Sequence, residues 1–376
     1  MIYLGLVLWA FFQALSVIGV LNYWRHLPAD RKVEGPDGAV VILSVRDDWD
    51  GGADLIAGLE RQEGARFRLL IATSGNCPAA MALAARHPGW VEVIAAGVAN
   101  DEGQKVHKIR AALRALRAED RYLVFIDADI APPARLVGRL LFPLVRGKAE
   151  VATGYRLLLP ARLALGWIGA VEMQLATLPR PANGTMPWGG AMAMRRDAAE
   201  RLGLEGALAG RLSDDMTLGL VARRAGLRLR PVRDLLVATP LDGGFGAALD
   251  FGMRQYRHVL TNSARMWAVA TGVVALQALG WAFAFGSCQW VAISIGYGAA
   301  WIRVAARARI LRSVLEPEHM RAVWRSLTWD AVAPFLVVWA HLAVQLAASV
   351  SRRIGWGGYD YWVRGGRVVR MVRSRG

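Results

Sequence analysis

Cysteine is scarce in this 376-residue chain: there are two, Cys77 and Cys288, in different regions. Two cysteines cannot form a disulfide framework or a four-cysteine zinc site. Phosphate-binding glycine signatures are missing as well. No G-x-G-x-x-G follows the first apolar run, and no G-x-x-x-x-G-K-[ST] occurs anywhere, which argues against a dinucleotide enzyme or a P-loop ATPase. Acid is in the minority, with 30 Asp and Glu against 46 Lys and Arg, for a net charge of +16. So basic a chain suits nucleic acid, but helix-turn-helix, zinc-ligand and RNA-recognition patterns are all lacking, and nucleic acid is not an expected partner. Much of the charge flanks apolar segments, where it meets anionic lipid headgroups. There is no internal repeat, low-complexity run or long linker.

The apolar residues are concentrated at the two ends. Residues 1–22 carry no charge, and about 20 such residues span a bilayer as a helix. A cleaved signal peptide is not expected, because no basic region precedes the stretch and no small-x-small site follows it. Arg25, His26, Arg31 and Lys32 come next, so the positive-inside rule puts the N-terminus outside and the following domain in the cytoplasm. A second apolar block reads as spans at about 266–285 and 287–303, joined at Gly286-Ser287, with Arg303, Arg307, Arg309 and Arg312 marking a cytoplasmic return. This topology puts Cys77 in the cytoplasm and Cys288 near the far side of the membrane, so no bond between them is expected. A last apolar stretch covers 331–350. If it crosses fully, the tail after Ser351, with seven arginines and one aspartate, ends outside, against the charge rule. Pro334, His341 and Gln345 favour a bent or re-entrant segment and a cytoplasmic tail.

Between about 37 and 240 strand-like and helix-like runs alternate. Ala39 to Val45, Phe67 to Ala72, Val91 to Ala95 and Tyr122 to Ile126 read as buried strands, with helices at 53–63, 78–87 and Lys105 to Arg117. Alternation of this kind predicts an α/β domain with a mostly parallel sheet covered on both faces. Ligands in such sheets bind at the carboxyl ends of the strands. The loops at 46–52 and 73–77 lie on that edge, and so does the chain's most telling run, Tyr122-Leu-Val-Phe-Ile-Asp-Ala-Asp129. On an extended chain positions i and i+2 share a side, so Asp127 and Asp129 converge where a strand opens into a loop. Carboxylate oxygens there suit Mg2+ or Mn2+ and, through the cation, a diphosphate.

Four further features stand beside this pair. Gly103-Gln-Lys-Val-His-Lys108 opens a helix whose free N–H groups and Lys105 make an anion site, or simply a solvated basic helix start. Trp188-Gly-Gly-Ala-Met-Ala-Met-Arg-Arg196 couples glycines to an apolar strand, for close approach of backbone to a ligand or for a tight turn. Leu212-Ser-Asp-Asp-Met-Thr-Leu-Gly-Leu220 sets two acids before an amphipathic run. Ser213 or Asp214 there caps a helix, and adjacent carboxylates also raise one another's pKa, as suits a general base. In Arg254-Gln-Tyr-Arg257-His258 two arginines share a helix face and can clamp a diphosphate or rest on a membrane surface.

In this order, the motifs resemble those of processive-type family-two glycosyltransferases, the ceramide glucosyltransferases and their bacterial relatives most of all. The resemblance covers nearly the whole chain. It extends to Glu172 in Val-Glu-Met-Gln, which lies where the family carries a Glu in a helix on the acceptor side, and to the ending Trp356-Gly-Gly-Tyr-Asp-Tyr361-Trp-Val-Arg-Gly-Gly366. It implies a GT-A-type nucleotide-sugar-binding domain with N-terminal and C-terminal transmembrane helices. The corresponding division is an anchor at 1–22, a cytoplasmic catalytic domain at 37–250, a membrane-interface helix at 251–265, transmembrane or re-entrant segments at 266–350 and a basic tail at 351–376. By position, Asp127 and Asp129 hold Mg2+ or Mn2+ on the donor diphosphate. Asp215 is the general base with Asp214 beside it, Arg254 and Arg257 bind the diphosphate leaving group, and Lys105 matches the lysine of a Pro-Lys-Ile-Asn-Asn-like segment near the donor. Two positions depart from the family pattern. The early aspartate that contacts the uracil is missing from Thr73-Ser-Gly-Asn76, which leaves that role to Ser74 or Asn76, or to Asp47 or Asp48 beside Arg46 in the first loop. The tryptophan that closes the arginine motif is His258.

The implied reaction is a single displacement with inversion, moving a hexose from a UDP-sugar to a membrane-lipid hydroxyl. The implied setting is a bacterial inner membrane with the catalytic domain in the cytoplasm. The alternatives are a polysaccharide synthase, a polyprenyl-phosphate glycosyltransferase and a catalytically silent scaffold that binds nucleotide-sugars or lipid.

Overall fold

The computed structural model describes residues 2–28, 35–178 and 186–374; Arg31 and Lys32 lie outside them. In chain order the elements are α1 (Ile2–Arg25), β1 (Ala39–Ser44), α2 (Ala53–Glu60), β2 (Phe67–Thr73), α3 (Pro78–Arg86), β3 (Val91–Ala95), α4 (Gln104–Arg114), β4 (Tyr122–Ile126), α5 (Leu136–Val145) and β5 (Val151–Pro160). Then come α6 (Gly166–Ala176), β6 (Ala191–Arg195), α7 (Arg196–Arg201), α8 (Leu204–Leu208), α9 (Asp214–Arg224) and β7 (Leu229–Leu241). The chain ends with α10 (Phe245–Asn262), α11 (Ala264–Gly286), α12 (Trp290–Val314), α13 (Met320–Val332), α14 (Pro334–Ser349), β8 (Arg353–Trp356), β9 (Tyr359–Arg364) and β10 (Arg367–Arg373). Two compact units result. One gathers 1–28, 157–179 and 238–351, and the other 29–156, 180–237 and 352–376.

The second unit is the α/β domain. Its seven-stranded sheet has the order β3-β2-β1-β4-β6-β5-β7. β1 pairs in parallel with β2 and β4, and β2 with β3; β6 runs antiparallel to both β4 and β5. Val40 to Leu43 and Leu123 to Ile126 are almost wholly buried, as short apolar runs covered on both faces must be. One face packs on Leu55, Leu59, Leu83, Leu136 and Leu140. The other packs on Val106, Ile109, Leu204 and Leu218. Because β1, β2 and β4 are parallel, the loops after Ser44, Thr73 and Ile126 open on one edge, and the chain entering antiparallel β6 arrives at that same edge.

The other unit is helical. Two of its helices, Gly5–Arg25 and Ala264–Gly286, are long and apolar enough to cross a membrane, as expected of a membrane protein. Pro317–Val332 and Pro334–Ser349 form a pair bent by 101°, with Pro334 at the first position of α14, where its missing N–H costs nothing. Arg303, Arg307, Arg309 and Arg312 follow the apolar part of the second block. They lie inside α12, which continues to Val314. The Arg303 guanidinium donates to Gln13 Oε1 and Ser16 Oγ, each at 2.8 Å. Arg307 pairs with Asp330 and donates to Thr177 Oγ1 at 3.1 Å. These two charges are buried and satisfied among helices rather than left at a lipid surface.

Fully buried Trp9 of α1 stands edge-on to Trp281 of α11, with ring centroids 5.2 Å apart. A Cβ on Gly280 would lie 2.1 Å from the Trp9 ring. Gly280→Ala is expected to destabilise this unit by about 1–3 kcal/mol through overpacking. A lower thermal midpoint in detergent would show it; an unchanged midpoint would mean that Trp9 can move aside.

Candidate active site

Asp127 follows the last residue of β4, and its backbone N–H donates to Gly190 O at 3.3 Å. Its Oδ1 is 2.7 Å from Lys105 Nζ. Lys105 sits in the first turn of α4 and also lies 3.2 Å from Asp214 Oδ2 and 3.2 Å from Gly189 O. One ammonium thus joins the end of β4, the start of α9 and the chain leading into β6. A Cβ at Gly189 would lie 2.9 Å from both Asp214 Oδ2 and Lys105 Nζ and would press on these two side-chain ends. Of the Gly-Gly pair, Gly189 lies against these charged side chains and Gly190 against the Trp188 ring, 2.1 Å from a Cβ there.

Burial opposes the charge on Lys105, but the Asp127, Asp214 and Asp215 carboxylates outweigh it and raise its pKa above the ordinary lysine value. Burial pushes the Asp214 carboxyl up to about 6; the Lys105 ammonium opposes that rise, while Asp215 and Asp127 add to it. Asp129 is solvent-reachable yet hemmed in by protein. Desolvation, and then the Asp127 charge, push its carboxyl up, against its own backbone N–H, Arg156 and Lys105. Two carboxylates crowded in this way at a strand end suit a divalent cation that neutralises both. Among the described residues no three His, Cys, Asp or Glu side chains converge on a metal-sized position. The pair therefore fits a cation that takes its remaining ligands from a bound diphosphate and water rather than a self-contained metal centre.

The two acids differ in their surroundings. Ser213 is the N-cap of α9, its side chain accepting from Met216 N. Asp214 is buried, with 4% of its side chain exposed. Asp215 is only half-buried, and its carboxylate is anchored from behind. Oδ1 accepts from Met216 N at 2.6 Å and from Ser213 Oγ, and Oδ2 accepts from Gly189 N at 3.1 Å. Of the two, Asp215 is the more exposed.

On the same edge Asp47 ties the first two strand loops together, its Oδ1 accepting from the N–H groups of Ser74 (2.9 Å) and Gly75 (3.1 Å). Arg46 and Asp48 form an exposed ion pair, and Asn76 is exposed. Arg254 and Arg257 belong to the helical unit, on α10. The Arg254 guanidinium lies 5.5 Å from the Phe251 ring centroid, and Arg257 is half-buried. Sequence reasoning missed Arg156 and Lys108. Arg156 is a lone cation in the otherwise apolar strand β5, a signal that was there to be read. Lys108 is buried on α4 and donates to Val45 O at 2.7 Å, supporting the first loop from beneath; burial lowers its pKa, with Asp47 opposing. Its only local signal is the i+3 spacing from Lys105.

Carboxylates and an ammonium gathered at the strand-end edge of such a sheet define a GT-A-type domain. The sequence profile described as "Glycosyltransferase like family 2" matches residues 61–258, and the chain belongs to that family. Among solved structures, a mannosyltransferase from Pyrobaculum calidifontis in complex with GDP-Man and Mn2+ is similar over 94% of this chain and 99% of its own, with 14% identity and a TM-score of 0.53. A glucosyl-3-phosphoglycerate synthase from Mycobacterium tuberculosis, with Mn2+, UDP and phosphoglyceric acid, is similar over 56% of this chain and 73% of its own, with 17% identity and a TM-score of 0.38. No curated protein matches the chain by sequence.

Proposed function

We propose that this family-2 glycosyltransferase moves a hexose from a UDP-sugar to the hydroxyl of a membrane lipid, with inversion, at the cytoplasmic face of a bacterial inner membrane. The observation that carries this reading is the Lys105 bridge between Asp127 and Asp214, which sets the end of β4 beside the start of α9, where Asp215 follows Asp214. Asp215 takes the proton of the acceptor hydroxyl as that oxygen attacks the anomeric carbon and the bond to the diphosphate breaks. Asp214 holds Lys105 in place. Asp127 and Asp129 hold Mg2+ or Mn2+, which when bound neutralises charge on the departing diphosphate. Arg254 and Arg257 bind the same leaving group. Arg46, Asp47, Asp48, Ser74 and Asn76 meet the nucleoside. The two apolar helices support a lipid acceptor, because an amphiphile then presents its headgroup without leaving the bilayer. The fold's likeness to a protein holding GDP-Man and Mn2+ puts GDP-mannose among the donors to be tested.

The test is transfer of labelled sugar from UDP-glucose, UDP-galactose and GDP-mannose, with Mg2+, Mn2+ or a chelator, in membranes carrying the native chain or Asp215→Asn. Metal-dependent label from a UDP-sugar in acid-stable lipid, with the native chain only, is expected. Transfer from GDP-mannose alone overturns the donor assignment. Acid-labile lipid label indicates a polyprenyl-phosphate acceptor, and label in insoluble polymer a polysaccharide synthase. No transfer by folded protein favours the silent scaffold.

A further inference from the structure

The roles above use nothing from residues 352–374. These residues nonetheless fold into the antiparallel sheet β10-β9-β8. Its two hairpins turn at Gly357-Gly358 (φ 61° and 83°) and Gly365-Gly366 (φ 57° and 75°), the left-handed pairs that two-residue hairpins demand. The sheet is set against the chain that feeds the active site. Ile354, Tyr361 and Val363 enclose Leu212 in a small core, with Trp356, Tyr359, Val368 and Met371 packed against it. Leu212 N donates to Gly366 O at 3.2 Å, Val368 N donates to Gly210 O at 2.9 Å, and Arg211 Nη1 donates to Gly365 O at 2.7 Å. Residues 210–212 thus run along the sheet's second hairpin, immediately before Ser213, Asp214 and Asp215.

The opposite side of this strap meets the start of α4. Gly103 N donates to Arg211 O at 2.8 Å, and a Cβ on Gly103 would lie 2.4 Å from Leu212 O. Gly103 is the N-cap of α4 and has no side chain to satisfy the first orphan N–H groups. Tyr361 supplies one acceptor. Its hydroxyl lies 3.4 Å from Gln104 N, the donor that opens the helix. The Tyr361 ring is 1% exposed, and burial, then Tyr359, push its phenol up to about 12 against the Gln104 hydrogen bond. One buried ring therefore touches the residue before Lys105 and packs on the residue two before Asp214.

We propose that the C-terminal sheet is a positioning element for sugar transfer, with Tyr361 holding the start of α4 and the 210–212 strap in the register that brings Lys105 to Asp214. This proposal rests on the catalytic reading given above. Tyr361 touches no reacting atom; it acts through Lys105 and Asp214.

The test compares full-length native chain with Tyr361→Phe, which removes the hydroxyl, and Tyr361→Leu, which removes the ring. Tyr359→Phe serves as the neighbouring control. The readouts are kcat, donor KM, thermal midpoint and hydrogen exchange in peptides covering 103–106, 211–216 and, as reference, 39–44. Tyr361→Phe is expected to lower kcat about threefold, as loss of one modest hydrogen bond does, and Tyr361→Leu by about tenfold or more. Both should speed exchange at 103–106 and 211–216 and leave 39–44 alone, while Tyr359→Phe stays at native values throughout. Native kcat and KM in Tyr361→Leu overturn the proposal. So does exchange that rises equally in all three peptides with a fallen midpoint, which is general destabilisation. A native chain that transfers no sugar overturns the functional reading instead, and exchange confined to the two site peptides still decides whether Tyr361 positions them.

Discussion

Asp215→Asn is expected to lower transfer by about 100- to 10,000-fold, the usual worth of a positioned general base, while leaving folding and donor binding near native. Asparagine keeps the size and one carbonyl oxygen of the side chain, so the start of α9 keeps an acceptor for Met216 N, 2.6 Å away in the native chain. It cannot take a proton. Asp214 cannot stand in, because its carboxyl is buried against Lys105. Calorimetric binding of the UDP-sugar beside a transfer assay separates the two effects. A loss of binding as large as the loss of turnover would mean that Asp215 holds the donor rather than the acceptor proton.

Lys105→Met is expected to cost transfer about 100-fold or more, the scale of removing one well-placed electrostatic group, and to change the pH profile. In the native chain burial places the Asp214 carboxyl at about 6. Asp214 must be ionised to hold Lys105, so kcat/KM, which reports the free enzyme, should fall below pH 6 and level off above it. Lys105 is the cation that opposes the rise of Asp214. Without Lys105 the Asp214 charge has nothing to hold, so the acid limb near pH 6 is expected to disappear. An acid limb that stays in place in Lys105→Met would sink the assignment of that limb to Asp214. Stability runs the other way. A carboxyl whose folded pKa exceeds its unfolded value binds more protons when folded, so its contribution to stability is present at low pH and lost as pH rises through about 6.

Much of the α/β domain was legible because its signals are local. Val40 to Leu43 and Leu123 to Ile126 are short apolar runs of strand type, and both are covered on two faces. Asp127 was found for the same reason: a charge directly after such a run has to emerge at a strand end. Residues 1–22 and 266–285 announced long apolar helices by length alone, and both ranges are helical. The burial of Arg303 and Arg307 was not legible, because the charge rule counts residues without knowing their partners, and Asp330 lies 23 positions beyond Arg307. The sheet formed by the basic tail was hidden for a similar reason. Tyr361, Val363 and Val368 pack with Leu212, which lies about 150 positions earlier.

By itself, then, the sequence determined the alternation of strands and helices, the strand-end position of Asp127 and Asp129, and two helices long enough to cross a bilayer. All three follow from periodicity and run length, which act between neighbours in the chain. Only the tertiary structure decided that Lys105 bridges Asp127 and Asp214, that Asp47 ties two loops together and that the C-terminal sheet grips the approach to Asp214. Those contacts join residues 22 to about 150 positions apart. Their free energy comes from charge and hydrogen-bond pairing in a partly dry interior, which no local pattern encodes.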